Sequence, residues 1–433
     1  MSVSHVFNVV GLLLQFVALA MGVAALVAVG YGEGDAPGIF AAAGVTLAAG
    51  FVAYRLTTLE EDITHREGFA IVTFAWTATA FFGALPFLLT GTVDSVVPAF
   101  FESMSGFTTT GATTFTDIEA LPHGILFWRS FTHWLGGMGI IVLAIAVLPF
   151  LGVGGMQLFR AEVPGPTPDR LRPRITQTAK LLWYVYLGLS VAQTILYLFG
   201  GMGLFDAVTH TFATLATGGF STKNASVAGF DSAYIHYVTI LFMYLAGINI
   251  TLHFRAVAGR PTYWRDAEWR FFTSVLVGAG LLLMVFNLLL GDYAGSHETT
   301  LAAIEAAFRD GLFQSAAIVT TTGFVTADFE GWPAAAQGLL FTLMFVGGMA
   351  GSTGGGVKAL RVMVLLKHAW NEVRKHLHPR AVILVRVGRK VVREDVVSNI
   401  VGFVILYVFF FLAGAFVMSL FGMDLLTALG ASA

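Results

Sequence analysis

Three short runs of threonine and glycine carry the chemistry that this chain offers. Residues 107–113 read Phe-Thr-Thr-Thr-Gly-Ala-Thr, 215–221 read Leu-Ala-Thr-Gly-Gly-Phe-Ser, and 319–325 read Val-Thr-Thr-Thr-Gly-Phe-Val. A cation stripped of water inside a membrane needs replacement oxygens, and backbone carbonyls from several loops can supply a ring of them. Such a loop needs unusual dihedrals, which glycine adopts at low cost, and a neighbouring threonine is small and adds a hydroxyl. Thr109, Thr110 and Gly111, then Thr217, Gly218 and Gly219, then Thr321, Thr322 and Gly323 have this composition. The competing role for one such run is close helix packing through small residues. Three copies, each after a short apolar segment, favour ion coordination.

The elements that position these runs are membrane helices. The chain of 433 residues is 56% hydrophobic and 12% charged, with a mean hydropathy of +0.78, against about 25% charged in soluble domains. It contains no cysteine, which excludes disulfides and thiolate metal sites. Apolar segments suited to spanning run roughly over 7–30, 38–57, 69–91, 124–151, 178–200, 235–256, 271–291, 335–350 and 396–420. The first is read as a membrane helix, because it lacks a basic leader and a cleavage site. The copied glycines lie 108 and 104 residues apart, a period that points to a repeated membrane unit. Each unit reads as long helix, short apolar segment with the Thr/Gly run, long helix. The short segments 93–104, 204–215 and 301–318 suit half-helices that enter from one face, and irregular backbone at that depth implies a shared internal cavity.

Alternate loops hold 21 of the 24 lysines and arginines: two at 55–68, five at 160–180, four at 255–270 and ten at 358–393. These loops, and with them the amino terminus, are therefore expected in the cytoplasm. The opposite loops hold 15 of the 26 acidic residues, among them Glu33, Asp94, Glu102, Asp206 and Glu305. An acidic outer face concentrates cations, although exposed acids also simply solvate loops.

Ser105 through Thr113, Ala216 through Ser221 and Thr320 through Phe324 resemble three filters of the Trk/Ktr/HKT superfamily of potassium transporters, most nearly its prokaryotic TrkH-type membrane subunit. Trp128-Arg129-Ser130 and Trp134-Leu135-Gly136-Gly137-Met138-Gly139 look like the helix that follows the first filter. The resemblance covers essentially the whole chain. It implies an all-α polytopic membrane protein in which helix–pore-helix–helix repeats surround a central pore after an extra helix pair. The division expected is 1–60 for the extra pair, 61–155 for repeat 1, 156–262 for repeat 2 with its linker, and 263–366 for repeat 3. A cytoplasmic segment, 367–395, and an incomplete repeat 4, 396–433, complete it. Acids near the start of each short segment precede the filter glycine by 17, 13 and 18 residues (Asp94, Asp206, Glu305), so from Asp424 the fourth glycine is expected near 437 to 442, beyond Ala433.

Residues 347–358 form the second feature, with Gly347, Gly348, Gly351, Gly354, Gly355 and Gly356 ahead of Lys358. Six glycines in ten residues do not hold a helix at about 1 kcal/mol each. This is not a phosphate-binding P-loop, because Val357 separates the last glycine from Lys358 and Ala359 follows. It resembles the family's intramembrane gate. Lys358 then plugs the pore, holds the loop by its charge, or reaches to the cytoplasmic interface.

The resemblance also implies K+ (or Na+) as the transported ion, no covalent cofactor, and a homodimer in the plasma membrane. It further implies a TrkA-like cytoplasmic nucleotide-binding regulatory subunit. The alternatives are the ion-translocating subunit of a potassium-pumping ATPase complex and a cation-coupled secondary transporter. The first needs a catalytic partner, and the second needs ionisable residues in mid-segment, which are few here. No nucleophile with a base at motif spacing suggests an enzyme, and nothing in the charge suggests nucleic acid.

Overall fold

The computed structural model describes residues 3–58, 65–146 and 171–433, except 292, 297, 380 and 382. The end of the segment expected at 124–151 and most of the proline-rich linker before Lys180 lie outside the described residues. The regular secondary structure of those described is helical apart from one two-stranded hairpin, which is the class expected, and they fall into two compact units.

The first unit holds the described residues up to Ala246 together with Thr322–Thr326. It begins with a helical hairpin, α1 (Val3–Tyr31) and α2 (Ala36–Arg55). Ala24, Ala25, Ala28 and Ala42 are fully buried there, and a Cβ on Gly11 would lie 2.8 Å from the Gly50 carbonyl oxygen. Small residues let the two backbones approach this closely. The expected span 69–91 appears as α3 (His65–Gly83) and the single turn α4 (Leu85–Leu89), divided ahead of Pro86. Proline removes a backbone donor and clashes with the preceding turn.

Next come α5 (Val96–Phe107), α6 (His123–Ala146), α7 (Leu171–Phe199), α8 (Leu204–Leu215) and α9 (Ala233–Gly247). The helices α5 and α8 have 12 residues each, so they are about 18 Å long against a hydrocarbon core of about 30 Å. They are the half-length helices that the sequence predicts.

The second unit holds Gly247–Thr321 and Ala327–Ala433. The apolar run 235–256 reads as one helix in the sequence, but it is interrupted after Gly247. Asn249 starts a new helix, α10 (Ile250–Val257), by accepting from the Thr251 N–H at 2.8 Å. Then follow α11 (Ala267–Leu290), α12 (Thr300–Val319) and α13 (Ala334–Leu343). The helices α11 and α12 cross at two glycines, where a Cβ on Gly311 would sit 2.7 Å from the Gly280 carbonyl oxygen. The third short segment, α12, has 20 residues, longer than its two counterparts. The segment expected at 335–350 is helical only as far as Leu343, and the glycine-rich run follows it.

Helix α14 (Ala359–Leu377) leads to a hairpin that turns at Gly388, β1 (Arg386–Val387) paired with β2 (Lys390–Val391). Val364, Val385, Val396, Val397 and Ile400 form a small core that binds the hairpin to α14 and to α15 (Glu394–Leu420). In α16 (Leu425–Ser432) Asp424 caps the helix, accepting from the N–H groups of Leu426 and Thr427 at 3.0 and 3.2 Å. Among the described residues six helices are long and apolar enough to cross a membrane, or seven if α9 and α10 count as one broken span.

Candidate cation filter and glycine-rich loop

Each half-length helix hands over to its Thr/Gly run in the same way. At the end of α5 the Thr109 N–H donates to Gly106 O and the Thr110 N–H to Ser105 O, at 3.1 and 2.9 Å. At the end of α8 the Thr217 N–H donates to Thr214 O and the Gly218 N–H to Ala213 O, at 3.0 and 2.9 Å. This is the left-handed helix stop in which glycine is usual. Here the left-handed residue is a threonine, with φ of +56° at Thr109, +54° at Thr217 and +58° at Thr321. A β-branched residue at positive φ is a genuine outlier. Two residues further on, Gly111, Gly219 and Gly323 are again left-handed, at +80°, +84° and +76°. Thr110, Gly218 and Thr322, between them, are not.

Within the first unit the copies meet edge to edge. A Cβ on Gly111 would collide with the Gly218 carbonyl oxygen, and a Cβ on Gly219 with the Thr322 carbonyl oxygen. The residues singled out at 109–111, 217–219 and 322–323 are thus brought together through their glycines. Beyond the third copy, the Val325 carbonyl accepts from the Ala228 N–H at 3.0 Å and the Val325 N–H donates to Ser226 Oγ at 3.2 Å, which ties its exit to the second copy.

Within the second unit the glycine-rich loop packs on the base of the third run. The Gly355 N–H donates to Thr321 Oγ1 at 2.6 Å, and a Cβ on Gly354 would lie 3.0 Å from Thr320 O. The two arms of the loop pack backbone on backbone: a Cβ on Gly347 (φ +131°) would collide with Gly355 O, and one on Gly356 would lie 3.0 Å from the Gly347 Cα. This close approach explains why Gly347, Gly348, Gly354 and Gly356 gather here. The Ala359 N–H closes the base of the loop on Gly348 O at 3.0 Å. Lys358 Nζ donates to Gly354 O at 2.6 Å and to Ser352 O at 3.3 Å. These two bonds tie the Lys358 ammonium to carbonyls of the loop itself.

A family model described as TrkH, cation transport protein, matches residues 36–433. The chain belongs to the TrkH family. It is 41% identical, over its full length and 89% of the relative, to the Trk system potassium uptake protein TrkH of Vibrio parahaemolyticus. The TrkH protein of Escherichia coli K12 is also 41% identical, with 96% of this chain and 86% of the relative covered. The Trk system potassium uptake protein TrkG of Escherichia coli K12 is 35% identical, with 84% of this chain and 74% of the relative covered. The crystal structure of the potassium transporter TrkH from Vibrio parahaemolyticus superimposes with a TM-score of 0.89 at 38% identity, covering 99% of this chain and 88% of that one. With its apolar helices, this TrkH-family chain is a multi-pass membrane protein and an ion transporter in class, not an enzyme.

Several residues of this TrkH-family chain frame the Thr/Gly runs. Glu102 is one of the acids that could simply solvate a loop and Arg129 belongs to the motif at 128–130, and both are fully enclosed. Arg129 Nε donates to Glu102 Oε1 at 2.7 Å, with side chains 1% and 0% exposed. The Glu102 carboxylate also accepts from Thr113 Oγ1 and the Thr114 N–H, both at 2.9 Å. The Arg129 guanidinium reaches Ser221 O at 3.3 Å and lies 4.1 Å from the Phe220 ring centre. One ion pair therefore braces the exits of the first and second runs. His133, on the same helix, fills the space beneath Gly218, where a Cβ would collide with its ring. Its Nδ1 lies 2.8 Å from Gly106 O, and the Phe220 N–H donates to its Nε2 at 3.3 Å. A ring that donates at one nitrogen and accepts at the other is the neutral tautomer. Gly136 and Gly137 complete the motif: side chains there would collide with Phe107 O and lie 3.0 Å from the Ala216 Cα.

Other loop acids are engaged as well. Asp206 accepts from Thr222 Oγ1 at 2.6 Å, and Glu33 accepts from the His123 N–H at 2.6 Å and from its ring at 2.7 Å. Burial alone raises the Glu33 carboxyl, but the His123 backbone and ring bonds outweigh it and hold the group below its ordinary value.

Proposed function

We propose that this chain takes up K+ across the plasma membrane through a filter of backbone carbonyls. The observation that carries the reading is the repeated left-handed geometry at Thr109 and Gly111, Thr217 and Gly219, and Thr321 and Gly323. Along an ordinary extended chain successive carbonyls face opposite sides. Inverting the backbone hand at every second residue turns them toward one side, where they replace a cation's water. The carboxyl ends of α5, α8 and α12 lead into these runs, and each helix end carries about half a negative charge, which favours a cation.

In this reading Thr109, Thr110, Thr217, Gly218, Thr321 and Thr322 coordinate, while Gly111, Gly219 and Gly323 set the backbone. Residues 347–356, held by Lys358, gate the pathway. The family relatives are named potassium uptake proteins of the Trk system, which supports K+ over Na+. An inside-negative potential drives entry, since one charge moving through 100 mV gains about 2.3 kcal/mol.

The division into an extra helix pair, 1–60, and repeats over 61–155, 156–262, 263–366 and 396–433 belongs to the same proposal. So do the cytoplasmic amino terminus, the homodimer, and a TrkA-like regulatory subunit on the basic segment 358–393. The gene should restore growth at limiting K+ to a bacterium stripped of its own K+ uptake systems. Failure to restore growth, with the protein present in the membrane, overturns the proposal.

A further inference from the structure

We propose that Glu268 is the latch of the glycine-rich loop, a positioning residue that sets how often the loop opens. This rests on reading 347–356 as the gate.

Glu268 lies in the first turn of α11, and its side chain is buried. Its Oε1 accepts two backbone N–H groups, from Ala350 inside the loop at 2.7 Å and from Leu360 in the first turn of α14 at 3.1 Å. The second of these meets a need that α14 cannot meet itself. The first N–H groups of a helix have no partner within it, and the usual remedy is an acceptor side chain at the N-cap. The N-cap of α14 is Lys358, which makes no capping bond. A lysine ammonium has donors only, and this one is turned onto the carbonyls of Ser352 and Gly354. Glu268 supplies the missing acceptor from another helix, and a carboxylate is also the favoured charge at the amino ends of both α11 and α14.

The residues beside Ala350 are pinned independently. The Met349 N–H donates to Gly247 O at 2.8 Å, and the Gly351 carbonyl accepts from the Ile250 N–H at 3.1 Å. The break in the helix after Gly247 is what frees Gly247 O and the Ile250 N–H for these bonds. Residues 349, 350 and 351 are therefore held in succession, the outer two by neutral backbone bonds and the middle one by a charged acceptor. Charge-assisted bonds are the stronger class. When Ala350 leaves, the carboxylate keeps its bond to Leu360, so opening does not strand a buried charge. The same bond keeps α14 capped while the loop moves.

The test uses the absence of cysteine from the sequence. Ser352→Cys places one thiol in the loop, at a residue that is buried with its hydroxyl on Met349 O at 2.6 Å. Its labelling rate by a membrane-permeant thiol reagent is measured alone and combined with Glu268→Ala or Glu268→Gln. Loss of the charged acceptor should speed labelling roughly 10- to 100-fold in the alanine variant. The glutamine variant keeps an acceptor oxygen without the charge, so it should fall between, and it carries the test if the alanine variant does not fold. Equal labelling rates in monodisperse protein with and without Glu268 overturn the latch. Rubidium flux through the same proteins separates the two readings. Faster labelling with unchanged flux keeps the latch and removes the gate, whereas faster labelling with raised flux supports both.

Discussion

Arg129 Nε and Glu102 Oε1 lie 2.7 Å apart in a site where neither side chain meets solvent. The pair sits behind the first two Thr/Gly runs and touches both: Thr113 and Thr114 through the carboxylate, Ser221 and Phe220 through the guanidinium. Removing one partner leaves a buried charge unmatched, which costs about 3–5 kcal/mol. Glu102→Ala should therefore lower the melting temperature and broaden ion selectivity in whatever protein folds. A variant with wild-type stability and wild-type K+/Na+ discrimination would show that the pair braces nothing.

The glycines of the proposed filter differ in what a side chain would meet. At Gly219 it would collide with Thr322 O, while at Gly323 nothing lies within 4 Å. Both have left-handed φ. Gly219→Ser should abolish transport, whereas Gly323→Ser should weaken K+ preference and leave more flux. Competition of K+ and Na+ against rubidium uptake measures both effects, and equal behaviour of the two variants contradicts the arrangement.

Left-handed threonine is strained, at roughly 1–2 kcal/mol per residue. Thr217→Gly should therefore not destabilise the fold, yet it loosens the backbone that orders the ion site. The expected result is a melting temperature equal to or above wild type, with reduced discrimination. A lower melting temperature would mean that Thr217 contributes packing that its φ of +54° does not offset.

His133 offers a sharper case, because one ring serves Gly106 O and the Phe220 N–H at once. His133→Ala removes both contacts and opens a cavity under Gly218. We expect reduced selectivity in a protein that still purifies intact, read by the same rubidium competition. Unaltered discrimination refutes a positioning role.

In the loop after α1, the bonds from His123 hold the Glu33 carboxyl below its ordinary value, so the contact stabilises the fold above the unfolded carboxyl's pKa of about 4.3. It is lost only as pH falls through the still lower folded value. The stability difference between wild type and Glu33→Gln should stay constant from neutral pH down to the ordinary carboxylate range and shrink below it. A difference that already fades near neutrality contradicts the assignment.

The runs at 111, 219 and 323 are legible in the sequence because the same small residues recur with a long period, and backbone geometry needs only those residue types. The half-length of α5 and α8 follows from the brevity of their apolar segments. Glu102, His133 and Glu268 are not legible, and Arg129 is legible only as part of the motif at 128–130. The partners of each are backbone groups or side chains 11 or more positions away, and no spacing announces the contacts. The break at Gly247 is hidden for another reason. The run 235–256 stays apolar through it, and the signal is one asparagine, Asn249, whose capping role depends on where the glycine-rich loop lands. The same loop ends the helix expected at 335–350, because its close backbone packing overrides hydrophobic length.

The most direct measurement is radioactive rubidium uptake into vesicles carrying the protein, with an inside-negative potential and excess K+ or Na+ outside. The account predicts potential-driven uptake that K+ suppresses and Na+ does not, and that Gly219→Ser abolishes. Uptake that K+ and Na+ suppress equally, or that survives Gly219→Ser unchanged, would contradict a K+ filter built from these three runs.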